Sequence, residues 1–131
     1  CWNLMSIDLP ETLNSIGISA FDNCALKSVT IPEGITSIPA GLFSSCEELE
    51  TVMIPESVTS IGAGAFSNCK SLTSVRIPDG VTAIERRTFF NCLMLESINI
   101  PEGVTTIGVQ AFCCSALKHA IIPEGVTRID W

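Results

Sequence analysis

From Leu72 to Pro78 the chain alternates: Leu72, Val75 and Ile77 are apolar, Ser74 and Arg76 between them are polar, and a proline closes the run. Alternation of this kind predicts a short, half-buried strand. Pro78 has no N–H with which to continue a ladder. Ile77, Pro78, Asp79 and Gly80 place proline second and glycine fourth, which predicts a type I turn. Val81 and Ile84, like Val58 and Ile61 one coil earlier, then return apolar side chains to the interior from a β-branched segment, predicting a second short strand. The stretch from Ala63 to Asn68 reads as a single helical turn, with Ala and Phe buried on one side and Gly and Ser relaxing the corners.

The pattern recurs. Prolines stand at Pro10, Pro32, Pro55, Pro78, Pro101 and Pro123, in steps of 22, 23, 23, 23 and 22, and only Pro39 falls outside the series. A period of this length with Leu, Val and Ile at fixed offsets predicts a solenoid in which every coil adds a strand to one parallel sheet. Residues 1–131 therefore read as a single domain of about six coils. Cys1 already fits the ladder, VTRIDW stops inside a coil, and Trp2 and Trp131 lie near the raw ends. The expectation is a fragment of a longer array without its own caps, whose natural start carries any targeting signal and whose exposed strand edges favour end-to-end self-association.

The pattern LxxVxIPxxVxxIgxxAFxxC closely resembles the BspA-like leucine-rich repeat along essentially the whole chain. The resemblance implies a curved repeat solenoid, β-rich, with the parallel sheet on the concave face and short strands and single helical turns on the other sides. It further implies a surface or secreted protein engaged in adhesion or protein interaction, with a host or cell-surface protein as partner, and it brings no catalytic residues.

Composition narrows the alternatives. With 7 basic and 14 acidic residues the net charge is −7, which repels phosphate backbones and anionic membranes, so nucleic acid is not an expected partner. No apolar run approaches the ~18 to 20 residues of a membrane span. There is one histidine and no tyrosine, and neither a phosphate-binding Gly-rich loop nor G-x-S-x-G is present, so no enzyme, cofactor or catalytic residue is expected.

Cys1, Cys24, Cys46, Cys69 and Cys92 recur at the coil period, predicting one interior column of reduced thiols. Neither CxxC nor Cys-His spacing occurs, so no metal is expected. In the short coil AFCCSAL, Cys114 is expected to take the interior position as a better apolar filler than Ser115. That leaves Cys113 in the partly exposed column of Ser and Asp, as an accessible thiol or an intermolecular bridge. Glu11, Glu33, Glu56, Asp79, Glu102 and Glu124 each follow a repeat proline, which predicts a solvated acidic edge. Arg86 and Arg87, the only basic doublet, read as a solvated bend.

Two outward columns of the strands differ in character. Ser6, Ser28, Thr51, Ser74, Ser97 and His119 are nearly uniform, whereas Asp8, Thr30, Met53, Arg76, Asn99 and Ile121 change chemistry at every coil. Sheet packing alone favours β-branched repetition, so this variation points to recognition. Thr30, Met53, Arg76, Asn99, His119 and Ile121 are the candidate partner-binding residues. A structural spacer or an intracellular interaction scaffold are the alternative readings.

Overall fold

A computed structural model describes residues 1–130; Trp131 lies outside the described residues. The alternating runs fold as short strands: β1 (Ser28–Thr30), β2 (Ser37–Ile38), β3 (Thr51–Met53), β4 (Ser60–Ile61), β5 (Ser74–Arg76), β6 (Ala83–Ile84), β7 (Ser97–Asn99), β8 (Thr106–Ile107) and β9 (Arg128–Ile129). The three-residue strands β1, β3, β5 and β7 form one side of the solenoid, and the two-residue strands form the next side around the coil. All pairings are parallel and in coil register: Val29 faces Val52, Val75 faces Ile98, Ile38 faces Ile61, and Ile84 faces Ile107, which faces Ile129. Between β3 and β5 the stitching continues through the Thr73 amide, which donates to the Glu50 carbonyl at 3.4 Å.

The corner after each long strand sits one residue later than its sequence predicts. Val81 N–H donates to Pro78 O at 3.1 Å, and Ile35 to Pro32, Val58 to Pro55 and Val104 to Pro101 repeat the bond. Proline is thus the first residue of the turn, and the third is Gly34, Ser57, Gly80 or Gly103. The proline supplies the accepting carbonyl, and its missing N–H marks where the strand ladder stops.

The helical turns expected over Ala63 to Asn68 and its equivalents do not form. Each of five coils carries two left-handed residues four apart: Ser19 and Asn23, Gly41 and Ser45, Gly64 and Asn68, Arg87 and Asn91, Gln110 and Cys114, all with φ between 53° and 64°. A left-handed residue every fourth position breaks a right-handed helix. Amide bonding alternates instead. Ala65 and Ser67 donate three residues back, to Gly62 and Gly64, while Gly64, Phe66 and Asn68 donate to Arg86, Thr88 and Phe90 of the next coil. This side is therefore a third intercoil ladder, made of turns. Close approach is visible at Gly108, where a Cβ would lie 2.6 Å from the Arg86 nitrogen.

Inside, like residues stack on like. Phe21, Phe43, Phe66, Phe89 and Phe112 form a continuous file with ring centroids 5.5 to 5.7 Å apart. Cys24, Cys46, Cys69 and Cys92 are buried beside it as free thiols, as the period predicts. Cys46, Cys69 and Cys92 donate S–H to Phe21 O, Phe43 O and Phe66 O, at 3.0, 3.1 and 3.2 Å. Each thiol thus satisfies a carbonyl of the preceding coil while remaining apolar enough for the core.

Two cysteine expectations are corrected. Cys1 is exposed, outside the buried column of Cys24, Cys46, Cys69 and Cys92. Cys114 is exposed too, and Ser115 holds the interior register: its amide donates to Phe112 O as that of Cys69 does to Phe66 O. The Phe-plus-three register and the left-handed conformation of the preceding residue decide the position, and side-chain hydrophobicity does not override them. Cys113 is exposed in its predicted column.

Truncating the file at its centre, Phe66→Ala, is expected to cost about 3–5 kcal/mol of unfolding free energy in a denaturant titration, because neighbouring rings cannot close the gap without breaking register. Burial pushes the Cys46 thiol from 9.0 up to about 11 and the Cys92 thiol up to about 12. A folded chain that keeps these protons while the unfolded chain loses them is fully stabilised below pH 9 and loses stability as the pH rises towards 11. The denaturation midpoint is therefore expected to fall across that window, less steeply in Cys46→Ala. A wild-type midpoint that stays level would show the core thiols to be solvated.

Candidate functional site

The long strands turn alternate side chains inward and outward, and the two outward columns lie where the alternation requires. Ser28, Thr51, Ser74 and Ser97 are exposed, as are Thr30, Met53, Arg76 and Asn99 two residues further on, with Val29, Val52 and Val75 buried between them. Parallel pairing sets Thr30 directly against Met53 and Arg76 against Asn99. Four of the six candidate residues thus share one face in consecutive coils.

His119 and Ile121 are exposed on the same side but on a segment that has no strand; Ile121 is 88% exposed. That segment stands off β7, and the gap between them is a cleft of about 650 Å³ lined by Glu96, Asn99, Glu102, Lys118, His119 and Ile121. Asn99 also departs from the ladder pattern on its other side, towards β5. Its side-chain amide accepts from Ile77 N–H at 3.0 Å and donates to Ile77 O at 3.1 Å. The corresponding Ile31 amide instead bonds the backbone carbonyl of Met53. The Asn99 side chain thereby replaces a ladder bond.

A second hollow, of about 340 Å³, lies among Thr30, Glu33, Met53, Pro55, Glu56 and Arg76, and a third, of about 250 Å³, among Ser6, Asp8, Glu11, Ser28 and Thr30. Each combines the variable strand column with acids from the proline turns. The sequence alone presents those acids as a separate edge. The structure joins them to the face, most directly where Arg76 pairs with Glu56 of the preceding coil at 2.9 Å. Glu11, Glu33, Glu56, Glu102 and Lys118 are the residues of the face that the strand pattern misses. One signal was available: a turn residue just after one proline and a strand residue just before the next are neighbours through the stack, 20 positions apart. Within the row, Asp79 N–H also donates to Glu56 at 3.4 Å.

Electrostatically the face is acidic with one guanidinium in its middle. Both members of the Arg76–Glu56 pair are more than half exposed, so the pair holds geometry more than it adds stability. Arg87 lies away from the face, its Nε donating to Gln110 Oε1 at 2.8 Å and its guanidinium 5.4 Å from the Phe90 ring. Among the described residues no three His, Cys, Asp or Glu side chains converge to hold a metal ion, and no helix is long and apolar enough to cross a membrane. The face offers shape, hydrogen-bonding hydroxyls, an exposed thioether and a charged fork, which are means of binding.

Comparison with known proteins agrees with this geometry. The model of the BspA type leucine-rich repeat region matches in six copies, over residues 1–57 and 36–131. A leucine-rich repeat protein from Bacteroides ovatus is 38% identical with a TM-score of 0.95, covering 99% of this chain and 34% of that one. A leucine rich cell surface protein from Faecalibacterium prausnitzii is 33% identical with a TM-score of 0.64, covering 88% of this chain and 38% of that one. A T. pallidum leucine-rich repeat protein, at 23% identity, TM-score 0.82 and coverage of 93% and 67%, shares the fold. The chain spans about a third of the length of the B. ovatus protein. No curated protein matches. A coil of 22 or 23 residues, a proline-closed strand and a stacked Phe and Cys file, carried through the whole match, place the chain in the BspA type leucine-rich repeat family.

Proposed function

We propose that this chain is a non-enzymatic protein-interaction module of a surface or secreted protein, working in adhesion, and that it takes its partner on the face of the long strands. The observation that carries the reading is the contrast between two adjacent exposed columns. Ser28, Thr51, Ser74 and Ser97 keep to small hydroxyls, whereas Thr30, Met53, Arg76 and Asn99 change from coil to coil although both columns meet the same solvent. Small neighbours let a partner approach the sheet closely. Met53 then offers apolar contact, and Arg76, steadied by Glu56, offers a directed charge of the kind found at interface hot spots. Support for a surface location comes from the F. prausnitzii neighbour, described as a cell surface protein. The cleft beside Asn99 and His119 extends the same face towards Ile121.

In a binding titration against a protein partner, Met53→Ala combined with Arg76→Ala is expected to weaken affinity by more than about 1 kcal/mol, roughly fivefold. Stability should stay within about 0.5 kcal/mol of wild type, since both side chains are exposed. Affinity unchanged in that variant but lost on substituting Arg86 and Arg87 would move the contact off the strand face. A chain that keeps partner binding after every variable-column residue is made serine would place the contact outside this column.

A further inference from the structure

Cys113 and Cys114 are consecutive, exposed and free, and their sulfurs lie 3.4 Å apart. Their positions are surface positions in every coil. The column of Cys113 holds Asp22, Ser44, Ser67 and Phe90, and that of Cys114 holds Asn23, Ser45, Asn68 and Asn91, all of them exposed or half-buried. Access to the pair is thus built into the coil. The left-handed conformation of Cys114, φ 60°, turns its side chain beside that of its neighbour.

The geometry disfavours a direct bond between the two sulfurs. Adjacent residues joined by a trans peptide have Cα atoms about 3.8 Å apart, whereas ordinary disulfides span about 4.4–6.8 Å, and a bond forced outside that range is strained and readily reduced. Zinc is disfavoured as well. It takes four ligands in a tetrahedron, and no third His, Cys, Asp or Glu among the described residues joins the two sulfurs. What two thiols held this close do fit is a single soft atom that needs only two protein sulfurs and brings its remaining substituent with it.

We propose that Cys113 and Cys114 form a dithiol capture site for monosubstituted trivalent arsenicals, both sulfurs bonding one arsenic atom. With an arsenoso compound R–As=O the step is a condensation. Two As–S bonds form, the arsenic–oxygen bond breaks, and both thiol protons leave with the oxygen as one water; arsenic remains trivalent and nothing is oxidised or reduced. The Cys113 proton is in place for this. The hydrogen bond to Cys114 holds the Cys113 thiol above its ordinary value, against the lowering charge of Arg87. The four core thiols are buried and do not compete, and Cys1, though exposed, stands alone in sequence and offers one sulfur.

Phenylarsine oxide is the probe. Intact-mass measurement of the native protein should show one adduct that has lost one water, resistant to excess monothiol and reversed by a dithiol. Serine occupies both columns naturally, at Ser44, Ser45 and Ser67, so Cys113→Ser and Cys114→Ser should fold as wild type. Each is expected to weaken capture on the order of 100-fold or more, because the second sulfur no longer binds at high effective concentration. Cys1→Ser should leave it unchanged. Wild-type affinity in either pair variant would overturn the proposal, as would loss of capture in Cys1→Ser. A pair isolated as a disulfide, silent to thiol reagents until reduced, would overturn it too.

Discussion

Each ring in the file from Phe21 to Phe112 lies 5.5 to 5.7 Å from the next, a neighbour that the chain supplies only by returning to the same place after 22 or 23 residues. That return fixes the rest. A coil of so few residues has no interior of its own, so Phe, Leu, Val and Ile become buried only when equivalent residues stack above and below. The backbone answers to the same condition. Carbonyls are met from the adjacent coil by the amides of Phe66 and Asn68 on one side and by those of the parallel strands on another, and inside the thiols of Cys46, Cys69 and Cys92 add a further bond to carbonyls of the coil before. Stability is therefore distributed as a sum of neighbour interfaces, and a defect in one coil weakens two of them.

The core and the strands were legible because stacking writes each structural requirement several times. Val29, Val52 and Val75, or Cys24, Cys46, Cys69 and Cys92, identify a buried column with no structural information at all. What repetition conceals is local conformation common to every copy. Ala, Phe and Ser around Asn23, Asn68 and Asn91 read as a helical turn, and only the alternation of bonds to the next coil separates that from the observed turns. Cys114 and Ser115 failed for the related reason that register outranks hydrophobicity in a short coil. Of the candidate face, the outward columns were readable from alternation; the pairing of Arg76 with Glu56 and the divergence at Asn99 depend on which neighbour a side chain reaches, which alternation does not encode.

Because the columns are fixed by stacking, the surface divides into positions the coil constrains and positions it leaves free. The turn acids belong partly to both. Each corner needs a polar residue after its proline, and the corners are stacked, so a row of like charges follows from the fold. Solvation and one guanidinium keep that repulsion small. Arg76 is thus both a member of the variable column and the counter-charge of the row, and its removal leaves Glu56 beside Glu33 and Asp79 without a positive neighbour. A partner that carries its own cations to the face relieves the same repulsion, and acidity along the hollows then works in favour of binding.

The left-handed columns are the most constrained part of the surface, and there a departure carries information that drift on a free column does not. Glycine and asparagine meet the conformation at small cost, while most other side chains at positive φ cost of the order of 1 kcal/mol unless something offsets it. Asn91 is tied to Asn68 by a side-chain hydrogen bond at 2.9 Å. Arg87 and Gln110, the two long residues at such positions, offset each other: Arg87 donates to Gln110, and its guanidinium lies over Phe90. Cys114 has no such compensation beyond its contact with Cys113. The two occupants of that turn thus meet each other, in the one coil where the Asn or Ser of the left-handed column gives way to a cysteine and its neighbour is a cysteine too.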